Sequence, residues 1–128
     1  MYKETHSPYL INFKKFEDLR GVLQTLELSE IGFNIKRVFT IKSHNDELTR
    51  GNHAHKKCWQ FIFPESNYLH LEYKNTLESK NIKVCVGEGI IIPPWNWCSI
   101  KFPSKHTTAI VLCSEPYDPE EYIAEKPN

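Results

Sequence analysis

The stretch Thr49-Arg50-Gly51-Asn52-His53-Ala54-His55-Lys56-Lys57 runs directly into the apolar segment Cys58-Trp59-Gln60-Phe61-Ile62-Phe63. In an extended chain, residues i and i+2 point to the same face, roughly 7 Å apart along the strand. His53 and His55 therefore address one space, on a strand read as running from His53 to Phe63 after a polar loop from Ser43 to Asn52. Imidazole moves protons near neutral pH and is also a common metal ligand. A third reading makes the pair hydrogen-bonded polar residues in a barrel mouth. That reading does not explain why two histidines share one space beside Arg50 and a group of tryptophans.

Outward from this stretch, short β-rich runs alternate with turn clusters, the pattern of an all-β barrel or sandwich. Strands are expected at Tyr9 to Phe13, Val22 to Leu28, Ile35 to Ile41, Tyr68 to Lys74, Ile82 to Val86, Trp97 to Phe102 and Thr107 to Cys113, with a fully apolar run at Ile90-Ile91-Ile92. Tyr68 to Lys74 alternates cleanly, with Leu69, Leu71 and Tyr73 on one face. Asp18-Leu19-Arg20-Gly21 and Gly87-Glu88-Gly89 read as turns, and Tyr117 to Tyr122 as a single helical turn. No long helical period appears.

At 128 residues the chain is expected to be one domain, residues 1–128, with a single core. Its 16 Lys and Arg balance 16 Asp and Glu, so no basic field for nucleic acid exists. No apolar run approaches the roughly 20 residues of a membrane span, and no apolar leader follows Met1. A cytoplasmic protein is expected, with Cys58, Cys85, Cys98 and Cys113 as reduced thiols. They include no CxxC pair, which argues against a zinc knuckle.

The histidine pair and the later Gly87…Pro93 resemble the two motifs of the cupin barrel. In metal-binding cupins the first motif supplies two histidines and a glutamate, and the second a histidine. Here His53 and His55 match the pair, Gln60 falls on the glutamate, and Cys98 on the last histidine. Gln60 is a neutral, weak ligand. A His53–His55–Cys98 zinc triad is one alternative. The favoured reading is a barrel without metal, whose histidines are free for proton transfer.

Arg20, Arg37 and Arg50 sit beside turns or strand ends near the expected barrel mouth. A guanidinium fork suits a diphosphate better than an ammonium does. Trp59, Trp95 and Trp97 offer flat apolar surfaces; Trp59 and Trp97 suit the core, while Trp95 in its loop suits a base or sugar face. His6, His44, His70 and His106 read as surface or hydrogen-bonded residues.

Arg50-Gly51-Asn52-His53-Ala54-His55-Lys56-Lys57 also resembles the RGxHAHK signature of the dTDP-sugar 3,4-ketoisomerases, the FdtA-like or WxcM-like cupins. The likeness extends through Ile11 to Lys15, Asp18 to Gly21, Ile35 to Val38 and Tyr117 to Ile123. It implies an RmlC-like jelly-roll barrel and a homodimer with exchanged N-terminal strands. It further implies conversion of dTDP-4-keto-6-deoxy-glucose to a 3-keto sugar without metal or organic cofactor, supplying 3-amino sugar synthesis. By this resemblance His53 and His55 are catalytic and Arg20, Arg37 and Arg50 bind the nucleotide sugar. Gln60, Trp95 and Cys98 are added as candidate substrate contacts. His53 is expected to act as the carbon base and His55 to serve the sugar oxygens. Two departures from the family stand out: Phe39 where many members carry tyrosine, and Cys98 where many carry histidine or another polar group. The alternatives are a sugar 3,5-epimerase, which pairs its base with an aspartate and a tyrosine not placed by this sequence, and an inactive sugar-nucleotide-binding cupin.

Overall fold

The computed structural model describes residues 1–128 and contains strands and two short 3₁₀ turns but no α-helix. No helix is long and apolar enough to cross a membrane. The strands are β1 (Tyr9–Asn12), β2 (Lys14–Asp18), β3 (Gly21–Thr25), β4 (Arg37–Lys42), β5 (Leu48–His55), β6 (Gln60–Pro64), β7 (Tyr68–Lys74), β8 (Ser79–Cys85), β9 (Glu88–Ile92), β10 (Trp97–Phe102), β11 (Thr108–Cys113) and β12 (Tyr122–Ile123). Two five-stranded antiparallel sheets face each other, ordered β1-β9-β6-β11-β4 and β12-β5-β10-β7-β8. This is the jelly-roll barrel implied by the family resemblance, and it falls within the all-β barrel or sandwich expected from the alternation of strands and turns. The hairpin β2–β3 pairs only with itself.

Alternation decides what faces inward. Leu69, Leu71 and Tyr73 on β7 are buried in the barrel with Ile62, Ile90 and Ile100 from β6, β9 and β10. The apolar run on β9 does not alternate because both of its faces are covered. Ile90 and Ile92 fill the barrel, while Ile91 packs outside it with Phe61 and Ile31 in a second cluster, roofed by Phe13 and Phe33. Gly89 leaves room for the Phe61 ring, which a Cβ there would overlap at Cζ. Cys58 and Cys113 are buried, and Cys85 is half-buried.

The continuous strand expected from His53 to Phe63 is broken. The histidines end β5, which starts earlier, at Leu48, inside the stretch read as a loop. The chain then crosses at Lys56 to Trp59 into the other sheet as β6. The break has a chemical cause. The N–H groups of Lys57 and Cys58 donate to the Glu121 carboxylate at 2.8 and 3.1 Å, and that of Trp59 to the Ser114 hydroxyl at 2.8 Å. Side chains distant in sequence thus satisfy donors that a strand would pair with backbone carbonyls. The strand expected over Val22 to Leu28 likewise stops at Thr25 and gives way to a 3₁₀ turn at Leu28–Glu30, closed by a reciprocal Glu27–Glu30 capping box. The helical turn expected near the C-terminus is a 3₁₀ turn at Pro119–Glu121, capped by Asp118.

Candidate active site

A cavity of about 390 Å³ opens between the two sheets, lined by His53, His55, Arg37, Arg50, Gln60 and Cys98 among others. One backbone irregularity puts Arg50 and both histidines on the same wall. Gly51 pairs with Ser99 and His53 with Cys98, so Asn52 has no partner and forms a β-bulge. Gly51 and Asn52 hold φ of 95° and 59°. The extra residue shifts the inward parity of β5. Leu48 and Arg50 point inward before it, His53 and His55 after it. Gly51 is required twice over, because a Cβ would also sit 3.0 Å from the Cys98 carbonyl oxygen. Gly51→Ala is expected to cost about 1–3 kcal/mol in urea unfolding and to lower turnover by displacing His53. An unchanged midpoint and rate would show that the bulge does not set the histidine's position.

The two imidazoles meet with Nε2 of His53 3.3 Å from Nε2 of His55. Their outer nitrogens are both committed. His53 Nδ1–H donates to the Gly51 carbonyl at 2.9 Å, and His55 Nδ1–H donates to the Glu121 carboxylate at 2.6 Å. With both Nδ1 atoms as donors, each neutral ring presents a lone pair at Nε2. The contact between them closes only around one proton. The pair is therefore built to accept a single proton and share it, with the Glu121 charge behind it. Burial lowers the pKa of His55, while its hydrogen bond to Glu121 opposes the shift. His55 thus stays a neutral base in the resting site.

The C-terminal tail completes this arrangement. β12 pairs antiparallel with β5, setting Tyr122 opposite His55, and Glu121 accepts at its backbone oxygen from the Lys56 N–H at 3.0 Å. Tyr122 stacks on His53 with ring centroids 4.5 Å apart and planes 16° apart, and meets His55 edge-on at 4.6 Å. Its ring fixes the plane of His53. Burial raises the pKa of the Tyr122 hydroxyl, and the nearby Arg37 guanidinium opposes that shift. Glu121 and Tyr122 were not singled out in the sequence. The one available signal was an acid and a phenol adjoining in Asp118-Pro119-Glu120-Glu121-Tyr122, and nothing local says that this segment lies against a strand 66 residues away.

The other expected residues divide. Arg37 lies over the Phe39 ring at 4.6 Å and the Tyr117 ring at 5.1 Å, so its guanidinium plane is held at the cavity wall. Phe39 lines the cavity too, which places the missing phenol there. The Gln60 amide N–H donates to Cys113 Sγ at 3.8 Å. Cys98 is buried, donates its thiol proton to the Asn96 carbonyl, and is pushed well up in pKa by burial. It is a protonated wall residue. The buried donors that come within 4.8 Å of one another are His55, Cys58 and Glu121, instead of His53, His55 and Cys98.

Arg20 and Trp95 are not brought to the cavity. Arg20 sits exposed at the tip of the β2–β3 hairpin, its guanidinium 2.6 Å from Asp18, because that hairpin leaves the barrel. Trp95 holds a left-handed φ of 66°, which turns its ring outward against Tyr2 and the Lys3 ammonium. Its contribution is made by the backbone: the Trp95 N–H donates to the His55 carbonyl at 2.8 Å.

Comparison with known proteins agrees with this geometry. The chain is 33% identical over 130 residues to the TDP-4-oxo-6-deoxy-alpha-D-glucose-3,4-oxoisomerase of Aneurinibacillus thermoaerophilus, covering 93% of this chain and 87% of that protein. Its fold matches that of QdtA, a sugar 3,4-ketoisomerase from Thermoanaerobacterium thermosaccharolyticum solved with TDP, at a TM-score of 0.84 and 32% identity, over 95% of this chain and 90% of QdtA. A QdtA variant has been solved with TDP-4-keto-6-deoxyglucose. The fold alone is shared with the RmlC epimerase of Mycobacterium tuberculosis, at a TM-score of 0.78 and 14% identity over 95% of this chain and 71% of that one. The family described as FdtA, WxcM-like, C-terminal, matches residues 6–128. A match over nearly the whole chain, together with that identity, makes this protein a member of the FdtA, WxcM-like C-terminal family.

Proposed function

We propose that the protein is a sugar-nucleotide 3,4-ketoisomerase acting on TDP-4-keto-6-deoxyglucose. The observation that carries this reading is the Nε2–Nε2 contact at 3.3 Å, backed by Glu121 and set in the cavity wall. The reaction moves hydrogen between neighbouring carbons and needs a group that takes one proton and returns it. The C3 proton is acidic because it lies α to the C4 ketone. His53, half-buried at the cavity wall, takes it at Nε2. The C4 oxygen gains a proton and the C3 hydroxyl loses one. The proton held by the histidine pair returns to C4. The ketone then stands at C3, and no net proton is consumed. His55 shares the positive charge during the enediolate stage, with Glu121 opposite it. Arg37 and Arg50 hold the diphosphate and so fix the sugar over His53. The Gln60 amide, on the wall of the same cavity, is the donor assigned to the enediolate oxygens.

Incubation with TDP-4-keto-6-deoxyglucose and a nucleotide-sugar 3-aminotransferase tests the reading. A 3-amino sugar is the expected product. Recovery of the unaltered 4-keto sugar would refute it. We place the enzyme in the cytoplasm, where its four free thiols stay reduced. There its product would feed 3-amino sugar synthesis.

The lowered pKa of His55 fixes a pH dependence. The active pair needs a free Nε2, so kcat/KM falls as pH drops through the folded-state pKa of His55. Because that pKa is depressed, the acid limb is expected below the roughly 6.5 of an ordinary imidazole. Stability follows the same sign. It is complete above the unfolded value and declines as pH falls toward the folded one. An acid limb above 6.5 would contradict a buried neutral His55.

A dimer accounts for the hairpin. β2–β3 leaves Phe16, Leu19, Val22 and Leu23 exposed, with Phe16 directly opposite Leu23 on one face of the hairpin and Val22 on the other. A second copy would cover them and would bring Arg20 toward the partner's cavity. The exchanged segment is then this hairpin, since β1 already pairs with β9 of its own barrel. Val22→Asp combined with Leu23→Asp is expected to give a monomer by light scattering. A dimer that persists in this variant would place the interface elsewhere.

A further inference from the structure

We propose that His55, Cys58 and Glu121 form a binding site for a thiophilic divalent cation, zinc in particular, and that occupancy of this site shuts off the histidine pair. The three donor atoms lie within 4.8 Å of one another and all three residues are buried. Zinc ligands 2.0–2.3 Å from a tetrahedral metal stand roughly 3.3–3.8 Å apart, so the set forms when the Cys58 sulfur moves in by up to about 1 Å and the His55–Glu121 pair, 2.6 Å apart while it shares a proton, opens as that proton leaves. His55 and Cys58 are three residues apart on one turn of chain, and both face the cavity, which supplies the entry path and a water as fourth ligand. Glu121 is already oriented. Its Oε2 is held by the Lys57 and Cys58 N–H groups, leaving Oε1 to exchange the His55 proton for a metal.

The charges and protons balance. Cys58 loses its thiol proton to solvent. The His55 proton moves from Nδ1 to Nε2, where His53 accepts it, and Nδ1 binds the ion. One thiolate and one carboxylate then neutralise the dication, so no net charge remains buried. This site differs from the emptied cupin ligand set, whose corresponding positions are His53, His55, Gln60 and Cys98. It uses Glu121 from the tail and Cys58 from the sheet-crossing turn.

Binding is tested without substrate, so it stands or falls separately from the ketoisomerase reading; only the inhibition rests on that reading. Cobalt(II) is titrated into chelator-treated protein and the thiolate-to-metal charge-transfer band is recorded. One equivalent of band is expected in the native chain, bleached by zinc. The band should persist in Cys85→Ser, and Cys58→Ser and Cys58→Ala should weaken binding by at least ~10-fold. Zinc should also shield Cys58 of the native protein from alkylation, a readout that needs no variant. In turnover assays, zinc inhibition reversed by EDTA is expected for the native protein. No band, a band unchanged by both Cys58 variants, or alkylation of Cys58 unaffected by zinc would overturn the site.

Discussion

Replacing Glu121 by Gln is expected to lower kcat by ~10²–10⁴-fold while KM for the nucleotide sugar stays within about threefold. The carboxylate accepts three hydrogen bonds: from His55 Nδ1–H on one oxygen and from the Lys57 and Cys58 backbone N–H groups on the other. A carboxamide has only one acceptor oxygen. If that oxygen takes the two backbone donors, the amide N–H faces His55 and forces the ring proton from Nδ1 to Nε2. His55 then has no free Nε2, and the pair cannot take up the carbon proton. The charge that supports the shared proton is also gone. Because Glu121 raises the pKa of His55 against burial, its removal moves any remaining acid limb lower. Glu121→Ala differs in kind. It leaves three donors unpaired, two of them buried, and should cost about 3–5 kcal/mol, roughly 10–20 °C in melting temperature. A Gln variant with near-native kcat and an unmoved pH profile would show that Glu121 only holds the fold.

His53→Asn is expected to lower kcat by at least ~10²-fold, with TDP affinity within about threefold of the native value. The side chain that remains has no base. Backbone pairing of position 53 with Cys98 does not depend on the imidazole, so β5 keeps its register. Arg37 and Arg50 are untouched, and nucleotide binding with them. The comparison with His55→Asn separates the two histidines. His53 is half-buried against the cavity, while His55 is buried behind it on Glu121. Without His55, His53 still removes the C3 proton slowly, and deuterium still enters that position. Without His53 it does not. Calorimetry with TDP and solvent exchange on the keto sugar measure the two halves of this prediction. Near-normal turnover in His53→Asn would remove it from the chemistry.

How much of this was legible in the sequence follows from the range of each signal. Strand alternation is local, so β7 and β10 fall where the pattern puts them. The shared facing of His53 and His55 is also local. The bulge at Asn52 is not readable as such, because an Asn-Gly neighbourhood suits many turns, and it takes the pairing with Cys98 and Ser99 to reveal the skipped residue. The break after His55 has no local signal, because Cys58 to Phe63 is apolar except for Gln60, and the cause of the break is Glu121, distant in sequence. Arg20 reads as a barrel-mouth residue from its place beside a turn and from the family resemblance, yet it sits at the tip of a hairpin that leaves the barrel. Trp95 turned outward through a positive φ that a non-glycine residue seldom adopts and that no pattern announces. Glu121 and Tyr122 needed the fold, since pairing of a two-residue strand with β5 carries no periodic signature.

The central claim is that a carboxylate-backed pair of imidazoles carries hydrogen from one ring carbon to the next. Proton NMR of TDP-4-keto-6-deoxyglucose incubated with the protein in D₂O tests this most directly. The account predicts a 3-keto product formed by the native chain and not by His53→Asn, its C4 position holding hydrogen carried over from C3 together with deuterium from solvent exchange at the histidine pair. A product that keeps its ketone at C4 and is inverted at C3 and C5, or a 3-keto product formed equally well by the variant, would contradict it.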